Sequence, residues 1–322
     1  SNHPYKRTVI GTKEIIETVT REEILDYFNR FYTPDAYTTV IVGDVKKLET
    51  LKKVAEAFKQ TKRKQEVVKY PPIKPLDGIE RVYDNMDINK NHTMIAFFAP
   101  KFKDIHPNYA LDVLASMLSD GKSSILNQSL REDKELVLSV SAGNYSQKDS
   151  GMFYIYTTYD PNNEDKIESS IIEELKKIQE GDFSENLVEK AKNQIKTDTY
   201  YNRESISNIS DDLGYDYTFI NDLNFYENYL NSISKVTKED VIKAAKKYLT
   251  LDKYALSTVR ANNCKPVSNV EEKQETAKPK LIQELNNTKK VLLPNGATLI
   301  TKKKKVNSII AIDISIKGSK AL

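Results

Sequence analysis

The sequence predicts a mixed helix-and-strand protein built on a duplicated unit. Two observations carry this reading. One helix–turn–strand pattern occurs twice, and between its copies short β-prone runs alternate with helix-period segments. Residues 20–42 read TREEILDYFNRFYTPDAYTTVIV, and residues 237–259 read TKEDVIKAAKKYLTLDKYALSTV. Aligned without gaps they share Thr20/Thr237, Glu22/Glu239, Thr33/Thr250, Asp35/Asp252, Tyr37/Tyr254 and Val42/Val259. Thr20 with Glu23, and Thr237 with Asp240, have the spacing of a capping box. Apolar residues then recur at helical spacing: Ile24, Tyr27, Phe28, Phe31 and Tyr32 in one copy, Val241, Ala244, Ala245, Tyr248 and Leu249 in the other. A polar break and a β-prone run follow at 37–42 and 254–259. Each copy reads as the closing helix and strand of a domain. The chain is therefore expected to be a fragment: the end of one domain, a whole second domain and the start of a third.

The remaining elements follow in order. Residues 13–18 and 46–58 read as helices flanking the first copy. Tyr70-Pro71-Pro72, Pro75 and Gly78 punctuate the chain and mark a boundary. Residues 80–83 and 92–98 read as strands, the second nearly all apolar and so central. A helix over 107–118 carries the stripe Ala110, Leu111, Leu114, Ala115 and Leu118. Another helix runs from Ser123 to Leu130. Strands are expected at 136–142 and 152–159, and long helices at 164–180 and 184–202. More helix is expected at 205–218 and 223–232. Residues 265–286 are polar and charged, a composition that cannot bury a core and reads as a linker. Short strands at 291–293 and 298–301 then flank the turn signal Pro294-Asn295-Gly296, with a further strand at 308–316.

Composition bounds the function. The 49 Lys+Arg nearly balance 46 Asp+Glu, for a net charge of +3, which gives no clustered basic face for nucleic acid. Lys302–Lys305, the sole basic block, reads as a solvated turn. The single cysteine, Cys264, excludes an internal disulfide and fits a reducing compartment. No apolar run approaches the roughly 20 residues of a membrane span. The three histidines, His3, His92 and His106, form no HExxH or HxxEH pair. A zinc site needs three or four converging ligands, and neither a phosphate loop nor a GxSxG elbow is present. Residue chemistry alone shows no active site.

Three segments, in order, carry a resemblance. One is His3-Pro4-Tyr5 through Val9-Ile10-Gly11-Thr12 into residues 20–45. The next is Ser123-Ser124-Ile125-Leu126-Asn127-Gln128-Ser129-Leu130-Arg131-Glu132-Asp133-Lys134 with Leu136 and Ser139-Val140. The last is Leu293-Pro294-Asn295-Gly296 with Gly318-Ser319. Together they resemble the insulinase/pitrilysin family of zinc metallopeptidases, the inverted zincins that include processing peptidases.

The resemblance implies an α+β fold of duplicated α/β-roll domains, mostly antiparallel sheets backed by helices. By this reading residues 1–70 are the C-terminal part of a catalytic-type domain and 71–264 a second, complete one. Residues 265–287 are an exposed linker, and 288–322 the first strands of a third domain. It implies a zinc endopeptidase that cleaves peptides in an enclosed chamber, this part supplying chamber walls rather than the zinc site. The alternative is a non-catalytic scaffold or partner subunit of the same family. Zinc is expected in the full-length protein and not in these residues, because the family's HxxEH helix and later Glu ligand have no match here. The expected partners are peptide substrates and either the remaining domains of the same protein or a partner subunit. Neither nucleic acid nor a membrane span is expected. The family holds the substrate carbonyl with an Arg and a Tyr seven residues later. Arg131 matches the first, but Leu138 stands at the second and Glu135 replaces a usual Gly. Arg131 is thus the one candidate substrate-binding residue, with no catalytic residue expected and a degenerate clamp.

Overall fold

The computed structural model describes residues 3–59, 64–262, 280–285, 288–293 and 297–302. They fall into two units, within 1–264 and within 265–322. The first opens with helices α1 (Lys13–Thr18), α2 (Arg21–Phe31) and α3 (Lys47–Ala57). Strands β1 (Glu80–Met86) and β2 (Asn91–Ala99), helix α4 (Ile105–Ser119) and strands β3 (Ser139–Ser146) and β4 (Gly151–Tyr159) come next. Helices α5 (Glu164–Glu180), α6 (Glu185–Asn202), α7 (Ile206–Tyr215), α8 (Phe225–Lys235) and α9 (Lys238–Tyr248) lead to strand β5 (Ala255–Ala261).

Both capping boxes form. Glu23 N donates to Thr20 Oγ1 at 3.2 Å while Thr20 N donates to the Glu23 carboxylate at 2.9 Å. Asp240 and Thr237 repeat the exchange at 3.2 and 3.0 Å. The two helices then differ in what covers them. Val241, Ala244 and Ala245 of α9 are buried against α4 and α5. In α2 no residue is buried, and Ile24, Tyr27 and Phe28 are 55%, 57% and 45% exposed. Residues 37–42, expected as a strand, form none. A strand is stabilised by its ladder partners, and none is present for this run among the described residues. Its counterpart becomes β5, because β1 and β2 flank it.

The sheet has five strands in the order β1-β5-β2-β4-β3, antiparallel except for the parallel β1–β5 pair. The expected α+β class, with a mostly antiparallel sheet backed by helices, is what the structure shows. Strand alternation puts Ile95, Phe97, Phe153 and Ile155 into the core, where they meet Leu111, Leu114 and Leu118 of α4. Each such side chain contributes about 1.5–3 kcal/mol of burial. The polar groups on this face are paired: Thr93 Oγ1 lies 2.7 Å from Tyr159 Oη and 2.8 Å from Thr258 Oγ1.

Three local expectations change. The helix expected at 123–130 is a π-helical turn, Asn127–Asp133. The strand expected from 136 starts at Ser139, because the preceding backbone turns back onto the π-helix. Residues 280–285, expected within the linker, form β6 (Lys280–Leu285), which pairs with β7 (Thr288–Leu292); β7 pairs with β8 (Thr298–Lys302) in a separate three-stranded sheet. The rest of the expected linker, Cys264, Lys303–Lys305, the Pro294-Asn295-Gly296 turn and the strand at 308–316 lie outside the described residues.

Candidate functional site

One face of the five-stranded sheet is packed by helices and the other is open. On β2, the residues that alternate with the core are His92, Met94 and Ala96, half-buried, and Phe98, exposed; on β4 they are Met152, Tyr154, Tyr156 and Thr158, all half-buried. Register brings these into rows. His92 lies opposite Thr158 and Val259, and Met94 opposite Tyr156 and Ser257. Ser141 and Gly143 of β3 extend the rows beyond Tyr156 and Tyr154. Strands β2, β3 and β4 bring no Lys, Arg, Asp or Glu to this face. His92 Nδ1 lies 2.6 Å from Tyr156 Oη and 3.3 Å from Thr158 Oγ1, so the imidazole is tied into a hydroxyl network. Such a surface offers aromatic and thioether contact with a few hydroxyls, suited to side chains of an extended chain lying across it.

Arg131 sits in the π-helical turn, exposed, its nearest carboxylate oxygen that of Glu132 at 3.9 Å. The segment after it is firmly held. Leu136 N donates to Leu130 O at 2.8 Å, and Asn163 Nδ2 donates to Leu136 O at 3.0 Å. Ser129 Oγ donates to the buried Glu174 carboxylate at 2.7 Å, and Lys134 pairs with Glu173 at 3.1 Å. Glu135 makes the turn at φ +50°, a left-handed conformation that glycine adopts without strain. A glycine would meet this conformation at lower cost than Glu135 does. Leu138 is 53% exposed; its N–H donates to Thr158 O at 2.8 Å, and its side chain has no donor to offer a substrate carbonyl.

The histidines stand apart. His3 is buried, its Nδ1 accepting from Tyr5 N at 3.3 Å and its Nε2 3.4 Å from Asp149. His92 is on the sheet face, and His106 is exposed on α4. Among the described residues no three His, Cys, Asp or Glu side chains are grouped to hold a metal ion. The described residues therefore do not assemble a zinc site.

Sequence reading missed one polar cluster. Asp112 lies on α4 between the core residues Leu111 and Val113. It accepts from Asn144 Nδ2 at 2.9 Å and Tyr229 Oη at 3.1 Å, and burial pushes its carboxyl up to about 6. Asp216, also held near 6 chiefly by burial, lines the same cavity. An acid inside an apolar helical stripe was the available signal.

Comparison with known proteins defines the class. A family model described as the peptidase M16 inactive domain matches residues 18–195, more than half of the chain. The chain belongs to this family of insulinase/pitrilysin-type zinc metallopeptidases. The zinc protease PqqE of Helicobacter pylori is 27% identical over 251 residues, 76% of this chain and 56% of that protein. A probable inactive metalloprotease of Bacillus subtilis, YmfF, is 23% identical over 76% of this chain and 57% of its own length. The crystal structure of a protease from Helicobacter pylori superposes with a TM-score of 0.72 at 25% identity, covering 80% of this chain and 63% of that one. The chain thus spans a little over half the length of these curated relatives. Among the described residues no helix is long and apolar enough to cross a membrane.

Proposed function

We propose that this chain is the part of a zinc-dependent endopeptidase that does not hold the metal, and that its open sheet face forms a wall of the chamber in which peptides are cleaved. The observation that carries this is the face itself: aromatic, methionine and hydroxyl side chains in register across β2, β3 and β4, with no charged residue. An extended peptide can lie on such a surface whatever its sequence, which suits an enzyme that takes varied peptides. The name of the Helicobacter relative supports zinc peptidase activity for the whole protein.

The exposed apolar stripe of α2 supports the domain reading. Its counterpart on α9 is buried, so we assign residues 1–70 to a domain completed elsewhere in the protein or by a partner subunit, with 71–264 as a second domain. Strands β7 and β8 belong to a third. Arg131 is the one candidate for contact with substrate, and without a second donor at Leu138 it is assigned a minor part.

A second reading has its own support. The Bacillus relative is named an inactive metalloprotease, and a scaffold or partner subunit would keep this fold without the chemistry. Peptide cleavage by the full-length protein, before and after chelation and zinc restoration, separates them. Chelator-sensitive cleavage restored by zinc supports the enzyme. A full-length protein that lacks HxxEH and cleaves no peptide is the scaffold.

A further inference from the structure

Asp216 is 6% exposed, yet among the described residues its carboxylate accepts no hydrogen bond and meets no cation at ion-pair distance. It opens a second π-helical turn, Asp216–Ile220, and lines two cavities of about 250 and 440 Å³. Phe225 and Tyr229 also line both, so the two adjoin. The smaller cavity is lined as well by Asp112 and by Asn144, whose Oδ1 is buried without a donor. Asn144 cannot simply be reversed, since its Nδ2 already donates to both Asp112 and Asn108, at 2.9 and 3.0 Å. Aromatic rings complete the walls: Phe102 and Tyr215, 5.5 Å apart, and Phe225 and Tyr229, 5.8 Å apart.

The charged groups acting on Asp216 are Asp212, Asp222 and Arg203. Arg203 is engaged elsewhere. Its Nε donates to Asp212 at 3.1 Å, its guanidinium lies 3.6 Å over the Tyr226 ring, and its Nη2 is buried with no acceptor. The larger cavity adds Asp198 and Asp212. The site therefore has an excess of carboxylates, one buried acceptor without a donor at Asn144 Oδ1, and aromatic faces. A carboxylate largely withdrawn from bulk water, facing a cavity with no donor or cation on it, favours a cationic partner. An anion would be repelled, and no group of metal ligands is assembled among the described residues. Positive charge, N–H donors and a hydrocarbon stem are what this lining would satisfy together.

We propose that these joined cavities bind the ammonium or guanidinium end of an aliphatic ligand, with Asp216 as its ion-pair partner and Asn144 Oδ1 as a second acceptor. The site is separate from the open sheet face and does not rest on the peptidase reading. The cation could arrive on a free amine or on a basic side chain of a peptide, and the test distinguishes them.

Isothermal titration of the protein at pH 7.5 with agmatine, with Nα-acetyl-lysine N-methylamide and with neutral Nα-acetyl-norleucine N-methylamide reads the site. The expected result is saturable binding of at least one cation and none of the neutral analogue. Agmatine alone indicates a free amine, and the lysine derivative a peptide side chain. Asp216→Asn should weaken that binding at least tenfold, while Glu239→Gln, at an exposed position of α9, leaves it unchanged. Should Asp216→Asn fail to fold, Asn144→Ala carries the test with an expected loss of at least threefold. No binding of either cation, equal binding of the neutral analogue, or full affinity in the folded variants would overturn the proposal.

Discussion

The ring of Tyr154 lies across Gly143 on the open face: a Cβ at Gly143 would stand 2.7 Å from Cε1, Cζ and Oη of that ring. Gly143 is the β3 partner of Tyr154. Gly143→Ala therefore pushes aside the free end of a side chain, at an expected cost of about 1 kcal/mol. At Gly151 the obstacle is backbone, with Pro100 O only 2.1 Å from a Cβ. Gly151→Ala should cost about 2–3 kcal/mol. Urea unfolding of the two variants checks the order; equal losses would mean that the β2–β4 edge yields more easily than its packing implies.

The duplicated caps should respond unequally. Losing a Thr N-cap costs about 1 kcal/mol where the helix is part of the folded core. Thr237→Ala should show that loss, because α9 buries Val241, Ala244 and Ala245. Thr20→Ala should mainly speed amide exchange within α2, which buries none of its residues. Hydrogen exchange beside urea unfolding reads both. A larger global loss for Thr20→Ala would show that α2 is part of the cooperative core.

These helices show what was legible. Caps, apolar spacing and the helix order from α4 to α9 are local signals, and the structure follows them. The strand at 37–42 was not decidable locally, because the same pattern makes a strand at β5 only where neighbours supply a ladder. The open face was not legible locally, because residues 92–98 are nearly all apolar and only register and packing decide which set faces the helices. Asp112 and Asp216 come together only through the packing of α4, α8 and the turn after α7, a long-range fact that spacing does not encode.

Burial gives Asp216 a pH signature. Its carboxyl is pushed up to about 6 in the fold, against about 3.9 for an unfolded chain. Between about pH 4 and 6 the folded state holds a proton that the unfolded state has released. Stability from this group is therefore greatest below about pH 4 and falls as pH rises through about 6. Asp216→Asn should remove that fall and gain about 1–2 kcal/mol at pH 8. Denaturant unfolding of both proteins from pH 5 to 8 isolates the term from carboxylates such as Asp160, whose lowered pKa acts in the opposite sense. A variant less stable than the parent at pH 8 would mean that the charged form has a partner.

Arg131→Ala in the full-length protein should change peptide cleavage by less than about tenfold, or 1.4 kcal/mol. Arg131 is exposed, and Leu138 supplies no second donor. A residue aimed at the polarised carbonyl would cost on the order of 10²-fold or more. A loss that large in a folded variant would place a working clamp here.

The chamber-wall reading is tested most directly by site-specific photo-crosslinking. A benzophenone side chain is placed in the full-length protein at Met94 on the open face, or at Lys176 on the exposed side of α5, and irradiated with a labelled peptide substrate. Met94 should capture the peptide, unlabelled peptide should compete it away, and Lys176 should capture none. Equal capture at the two positions, or capture at Lys176 alone, would contradict it.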